Sequence, residues 1–359
     1  MALRKLKTLV GREFLVIGRS ALMLLLIVIL PVTFSMIFAS FKQVIPNSTP
    51  ASLIAASPEV TESEMNSTFK LLSRFCSPSI DSREDAFRKL SREEVYFIVS
   101  VPSGVWSGEG NVRVFVDNSL SPVAEMSDYV AEILKYELGE AYRRDYLSFP
   151  PPNILVEKIG KPISPIEYFA PGVVMVLLAI AGILVIPFNT VKDHNLMTRL
   201  LSSASPWEFI GSKLLFSLLL ASLQIAIFFI AQSILRLPVM SVNLLSAITL
   251  ILASFALTST GLLIAFAFKL SNLSRYVCSL LFGAVATFSG IFYPPGFLPS
   301  YLQPIPKILP TYYAMVLVRG FGMKGLEAGI FVDYFAIMVV WLVISLALLY
   351  YFIRRFRDG

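Results

Sequence analysis

The sequence is poor in charged residues, cysteine and histidine. Only 15% of its 359 residues are charged, whereas soluble proteins usually carry about 25%, so we expect a chain that lies in lipid. The two cysteines, Cys76 and Cys278, are too few for a disulfide framework or a thiolate metal site. The single histidine, His194, excludes a two-histidine zinc motif. The net charge of +6 comes without the basic, aromatic stripe typical of nucleic-acid binding, so we expect no nucleic-acid partner.

Two further absences concern energy coupling. No Asp, Glu, Lys, Arg or His lies well inside any long apolar run, although ion-coupled carriers usually keep such residues at mid-membrane. The chain also lacks the G-x-x-x-x-G-K-[ST] motif with which P-loop proteins hold ATP. Both an ion-coupled carrier and an intramembrane enzyme are therefore disfavoured, and the chain has no P-loop ATPase site of its own.

Six stretches are apolar over the roughly 20 residues that a membrane helix needs. They are Ser20–Phe41, Tyr168–Val191, Leu214–Leu235, Leu244–Phe268, Val277–Phe292 and Ile330–Ile353. Thirteen Lys and Arg residues flank them on one side and four on the other, so the positive-inside rule places both termini in the cytosol. The sequence predicts a membrane all-α fold with six transmembrane helices in the plasma membrane, five of them within residues 167–359.

Residues 42–166 form a polar insertion after the first span (20–41), which this topology places outside the cytosol. Strand-like and helix-like patterns alternate along it and predict a small α/β extracytoplasmic domain. The predicted strands are Ser52–Ala56, Tyr96–Val101 and Val112–Val116, and the predicted helices are Thr61–Phe75, Ser82–Leu90 and Val123–Leu147. Asn47 and Asn66 begin glycosylation sequons, whose use stays open.

Residues 1–19 predict a cytosolic amphipathic helix. Cations fall on one side of its helical wheel and apolar residues on the other, as in helices that lie in the membrane interface. A plain topology signal is the alternative. The apolar residues are Leu3, Leu6, Val10, Phe14 and Ile17.

The cytosolic loop 192–213 predicts a short helix that Asp193 or Asn195 can cap. One side of this helix is apolar, and an exposed apolar side needs a partner to cover it. Packing against the chain's own spans is the alternative. The apolar residues are Leu196, Met197, Leu200 and Leu201.

Segment 289–320 holds six prolines between Pro294 and Pro310, so no continuous helix can cross it. Irregular backbone near a membrane is tolerated where protein or a water-filled cavity covers it, which predicts a re-entrant pair of short helices at the outer face. Polar side chains inside the third and fourth spans are either helix-packing groups or part of a transport path. They are Gln224, Gln232, Thr258 and Thr260.

In this order along six spans, the motifs resemble the permease subunits of type-2 ATP-binding-cassette exporters, in the variety with a large extracytoplasmic domain between spans one and two. Ser289–Pro294, Leu309-Pro310 and Arg319-Gly320 are similar to the re-entrant signature of that family. Arg83–Leu90, Tyr96–Pro102 and Val112–Asp117 follow its order in the outer domain. The loop departs from the family pattern, with Asp193 for Glu, Asn195-Leu196 for Gly-Thr, Ala204 near the expected Pro and Ser212-Lys213 for Gly-Lys.

The resemblance implies a transport subunit rather than an enzyme, which pairs with a second permease chain, identical or similar, and binds a separate ATPase. ATP and Mg would then be held by the ATPase, and this chain would bind no cofactor. Residues 1–19 would be the elbow helix. The residues implied to contact the ATPase are Asp193, His194, Asn195, Leu196, Met197, Arg199, Leu200 and Leu201, and those implied to form the re-entrant exit are Gly290, Tyr293, Pro294, Pro310 and Arg319. An ATP-independent membrane receptor or scaffold is the alternative.

Overall fold

The computed structural model describes residues 8, 10–12, 49–108, 110–145, 152–237, 240–298 and 300–358. The first predicted span (20–41) and the Asn47 sequon lie outside the described residues. So do Leu3, Leu6, Phe14 and Ile17 of the predicted elbow helix.

Residues 49–159, which we call the sheet region, contain a mixed five-stranded sheet in the order β2-β1-β3-β4-β5. Strand β4 runs antiparallel to β3, and the other neighbouring pairs are parallel. The strands are β1 (Thr49–Ala55), β2 (Cys76–Ile80), β3 (Phe97–Val101), β4 (Asn111–Asp117) and β5 (Asn153–Ile159), and the helices are α1 (Glu62–Leu72), α2 (Arg83–Ser91) and α3 (Ser121–Asp145).

Alternation along the strands gives the sheet two apolar faces. Leu53 and Val99 lie in one core together with residues of α1 and α3. Ile54 and Ile98, which are the chain neighbours of Leu53 and Val99, pack with α2 on the opposite face. The first of these cores continues into the membrane helices through Tyr168, so the sheet region packs directly on them.

Four helical segments in the described residues are long and apolar enough to cross a membrane: 165–192, 206–234, 244–267 and 328–358. They correspond to the second, third, fourth and sixth predicted spans. The helices after the sheet are α4 (Pro165–Ala179), α5 (Ile186–Lys192), α6 (His194–Ser203), α7 (Pro206–Ile234), α8 (Leu244–Ala267), α9 (Asn272–Phe288), α10 (Pro310–Gly322) and α11 (Val332–Asp358).

The fifth predicted span, Val277–Phe292, has different bounds in the structure. Helix α9 begins at Asn272 and ends at Phe288, and its 17 residues extend about 26 Å. It ends there because Gly290 has a φ of +71°, a left-handed conformation that no α-helix continues through. Pro294 and Pro295 follow, so the chain turns before it completes a full membrane length.

Helices α4 and α5 are joined by a π-helical turn, Ile180–Val185. Pro187 follows it and cannot donate a backbone hydrogen bond, which explains the local change of helix type. The chain packs closely there, since a Cβ atom on Gly182 would lie 2.9 Å from the Thr258 backbone nitrogen and one on Gly261 would lie 2.5 Å from the Gly182 carbonyl oxygen. These two glycines let α8 approach the turn.

Candidate functional site

Side-chain contacts give helix α11 a sheet-side end and a far end. Arg92 of the sheet region pairs with Asp333 at the start of α11, and His194 at the start of α6 packs edge-to-face on Phe356 at the end of α11. Helix α6 therefore lies at the far end of the bundle. Two groups of candidate residues follow, one at each end.

At the far end, Arg12 and Asp193 form an ion pair with 2.6 Å between Nη2 and Oδ2. Asp193 precedes α6, but its side chain makes no capping hydrogen bond, so the capping role expected for it is wrong. Its carboxylate instead ties the N-terminal segment to the loop. Val10, two residues before Arg12, packs on the membrane core, so the two segments predicted to contact a partner lie together.

The apolar side of α6 is covered mainly by the chain itself. Met197 and Leu201 are 0% and 1% exposed and belong to the membrane core, and Leu200 is partly buried against the same core. For these three residues the alternative interpretation, packing on the chain's own helices, describes the structure. They anchor α6 and do not offer a free surface.

The face of α6 that remains open is mixed in character. His194, Leu196 and Arg199 are exposed, Leu196 by 41%, and Asn195 lies within the helix. Next to this face, Trp207 is 56% exposed and stacks on Tyr350 of α11 at 5.1 Å between ring centroids. This far-end surface combines an exposed leucine, an exposed tryptophan and an arginine, a composition typical of protein interfaces.

At the sheet-side end, the described residues of segment 289–320 contain two short 3-10 helices and one α-helix, and the re-entrant path expected of this segment stays a prediction. Two 3-10 turns, Pro295–Phe297 and Pro306–Ile308, precede α10, which begins at Pro310. Pro294 and Pro310 are buried, whereas Tyr293 is 44% exposed. The structure brings Gly290 to Arg319, because Arg319 Nη2 donates to the Gly290 carbonyl oxygen over 2.8 Å.

Arg319 belongs to a buried charged group that the sequence did not reveal. Its Nη1 lies 3.1 Å from Oε2 of Glu93, and both side chains are 1% exposed. Lys324 lies 3.4 Å from Glu93 Oε1 and 2.8 Å from Asp117 Oδ2. Two acids and two bases therefore balance, and we call Glu93, Asp117, Arg319 and Lys324 the junction cluster.

The cluster joins the sheet region to the helices. Glu93 follows α2 and Asp117 ends β4, while Arg319 is in α10 and Lys324 follows it. The Arg319 guanidinium also lies 4.2 Å from the ring centroid of Tyr168 in α4. Burial lowers the pKa of Lys324, but Asp117 and Glu93 raise it more, so its pKa lies above the ordinary value. Glu93 holds a left-handed φ of 59°, a strained backbone that surrounding contacts must maintain.

The four polar residues proposed for a transport path separate into two kinds. Thr258 Oγ1 lies 2.6 Å from Ser217 Oγ and 2.7 Å from the Ser254 carbonyl oxygen. Thr260 Oγ1 donates to Ala256 and accepts from Trp341 Nε1. Both threonines therefore serve helix packing, the alternative considered for them.

Gln224 and Gln232 differ from the threonines. Both are buried in α7, and both amide atoms of Gln224 and the Oε1 of Gln232 have no hydrogen-bond partner among the described residues. Asn189, in the middle of α5, is in the same situation. Because an unpaired buried polar group costs about 1–3 kcal/mol, these amides mark places where water, cargo or another polar group is needed.

Within the described part of the chain, no three metal-ligating side chains of His, Cys, Asp or Glu lie together. Residues 19–351 match the model of a family described as "ABC-2 family transporter protein". The comparison with curated proteins found no match. The family match covers most of the chain, including both ends of the bundle.

Proposed function

The chain belongs to the ABC-2 family of transporter proteins, and we propose that it is the transmembrane permease subunit of an ATP-driven exporter. It would move cargo from the cytosol or the inner leaflet outward. In this proposal the energy comes from a separate ATPase that the chain recruits, which agrees with the lack of a P-loop motif in the sequence.

The observation that carries the proposal is the construction of the far end. Helix α6 is held from within by Met197 and Leu201 and from the side by the Arg12–Asp193 pair. A helix anchored in this way can pass a displacement to the bundle, because its buried residues are packed into the membrane core. Leu196 and Arg199 remain exposed for an ATPase to bind.

In this proposal α6 is the coupling helix and the N-terminal segment is the elbow helix. The far end faces the cytosol, with both termini, and the sheet region lies outside the cell. Two permease chains pair and each binds one ATPase, which holds ATP and Mg. Gln224 and Gln232 would line the path, where cargo or water satisfies the amides that have no partner in the described residues.

Substitutions on the open face of α6 test the proposal. Leu196→Asp and Arg199→Glu should abolish co-purification of a P-loop ATPase from the cell of origin, since both side chains are exposed and neither supports the fold. Tyr301→Asp is the control, because Tyr301 is 76% exposed and belongs to segment 289–320 at the sheet-side end.

The ATP-independent receptor alternative predicts a different result. In that case no P-loop ATPase accompanies even the unaltered chain. Full retention of the ATPase by both α6 variants would also contradict the assignment of α6 as the coupling helix.

A further inference from the structure

A cavity of about 240 Å³ opens between the sheet region and the proline-rich segment. Its volume is below the roughly 300–1,000 Å³ of pockets that hold drug-sized ligands, so a small ligand or a single headgroup fits it better. We call it the junction pocket. It lies beside the junction cluster, and Glu93 forms part of its lining.

The walls of the junction pocket are fixed and largely apolar. Pro295, Pro304 and Pro306 line it together with the rings of Tyr96 and Tyr312. The Tyr96 hydroxyl accepts a hydrogen bond from the Gly296 amide over 3.2 Å, which holds one ring in place. Prolines and hydrogen-bonded rings lose little conformational freedom when a ligand binds, so the pocket is preformed.

The deep side of the pocket offers acceptors. Glu93 Oε1 is buried and has no hydrogen-bond partner in the described residues, although Lys324 lies 3.4 Å away. Glu94 also lines the pocket, and its side chain is 30% exposed. An ammonium group carries three donors and no acceptor, and it therefore complements this side.

The charges around the pocket are equal in number. The junction cluster is neutral, with two acids and two bases. The adjoining ion pairs join Arg92 to both Glu94 and Asp333, which is one base for two acids. These ion pairs contain four carboxylates and three cations, and Lys307, which also lines the pocket, is the fourth cation. A ligand that carries one positive and one negative charge leaves this balance unchanged.

The rim has the opposite character. Lys307 lines the pocket and is exposed, so it can bind an anionic group without being buried. Ser300 and Gln303 also line the pocket. A ligand with an ammonium at one end and a phosphate at the other would satisfy both the deep carboxylates and the rim lysine.

We propose that the junction pocket binds a zwitterionic aminoalkyl phosphate of the phosphoethanolamine type, either free or as a lipid headgroup. Its ammonium would lie against Glu93 and Glu94, between the tyrosine rings, and its phosphate at Lys307. The assignment holds whether or not the chain is an exporter, because it rests on the pocket alone.

The test uses the full chain in nanodiscs of phosphatidylglycerol and calorimetric titration with O-phosphoethanolamine. We expect saturable binding that is stronger than that of ethanolamine, inorganic phosphate or O-phosphocholine, whose quaternary nitrogen has no N–H. Lys307→Gln should lower the affinity for O-phosphoethanolamine by up to about fivefold and leave the affinity for ethanolamine unchanged. Ser300→Trp, which fills the pocket from an exposed position, should abolish binding.

Lys161→Gln is the matched control, since Lys161 is exposed and outside the pocket, and it should bind normally. The proposal is overturned if the unaltered chain gives no saturable heat, if Lys161→Gln weakens binding as much as Lys307→Gln, or if Ser300→Trp binds normally. Nanodiscs containing phosphatidylethanolamine then identify the source. Competition by the lipid means that its headgroup enters the pocket, and unchanged affinity means that the pocket takes the soluble ester; the zwitterion site stands in both cases.

Discussion

Removing the Glu93 charge should destabilise the protein more than any exposed Glu→Gln change. In Glu93→Gln the side chain keeps its size and its backbone keeps the same left-handed φ of 59°, so strain does not change. What changes is that Arg319, 1% exposed, loses its carboxylate partner. Lys324 keeps only Asp117 at 2.8 Å.

The expected size follows from the burial of both partners. Removing one partner of a buried ion pair costs about 3–5 kcal/mol, because an uncompensated charge remains. The glutamine oxygen can still accept from Arg319, so we expect the lower end, about 3 kcal/mol. Loss of the pair should also loosen α10 from the sheet region, since the cluster spans the two.

The assay is the free energy of unfolding of the purified chain, measured by titration with a denaturing detergent. Glu157→Gln is the matched control, because Glu157 is 45% exposed and pairs with Arg113 at 3.6 Å. Exposed pairs contribute about 0–1 kcal/mol. A Glu93→Gln variant as stable as Glu157→Gln would refute the structural role of the cluster.

A double variant separates the pair from unrelated damage. Glu93→Gln combined with Arg319→Met removes both charges, so no buried arginine is left unpaired. The double variant should lose less stability than the sum of the two single variants, since residues in one ion pair couple by about 0.5–3 kcal/mol. Strict additivity would show that the two charges act independently.

Three further predictions concern other parts of the chain. Gly261→Ala should lower the free energy of unfolding by about 1–3 kcal/mol, because the new Cβ would lie 2.5 Å from the Gly182 carbonyl oxygen. Gly211→Ala is the control and should be neutral or stabilising, since a Cβ at position 211 would meet no packing atom within 4 Å in the described residues. Equal unfolding free energies of the two variants would disprove the close approach. Burial raises the pKa of the Cys76 thiol to about 12, so Cys76 should resist alkylation at pH 8 until the chain unfolds. Rapid alkylation of Cys76 in the folded chain, detected by mass spectrometry, would contradict its burial. Burial raises the pKa of Asp81, but hydrogen bonds from Lys89, Ser52 and Ser79 lower it more, so this pKa lies below its ordinary value. The contribution of Asp81 to stability is therefore present above the pKa of the unfolded state and is lost as pH falls through the pKa of the folded state. In Asp81→Asn, hydrogen exchange of the sheet region should become less sensitive to acid below about pH 4. An unchanged pH profile of hydrogen exchange would contradict this role of Asp81.

The predicted strands were those whose own residues specify them. Strands β3 and β4 are rich in β-branched and aromatic residues, β1 contains the apolar run Leu53–Ala55, and all three were placed within a few positions. Strand β2, with the sequence CSPSI, and β5 are the two edges of the sheet, and they escaped prediction. The composition of β2 does not favour a strand, and its strand form depends on pairing with β1. The composition of β5, NILVEKI, does favour a strand, so its omission was an error of reading and not of the sequence signal.

The functional residues show the same division. Hydropathy found four of the membrane helices, and the proline-rich segment pointed to Arg319. The partner of Arg319 could not be predicted, because Glu93 lies 226 residues away in sequence and looks like any polar surface residue. The direction in which α6 turns its apolar side was also undetermined, since amphipathicity does not distinguish a partner from the chain's own core.

The most direct test of the central claim is a photo-crosslink from the open face of α6. A photoreactive amino acid at position 196, where Leu196 is 41% exposed, should capture a P-loop ATPase in living cells, identified by mass spectrometry. The same group at position 301, where Tyr301 is 76% exposed, should not. Capture of no ATPase from position 196, or equal capture from both positions, would contradict the assignment of this chain as a permease that recruits its motor through α6.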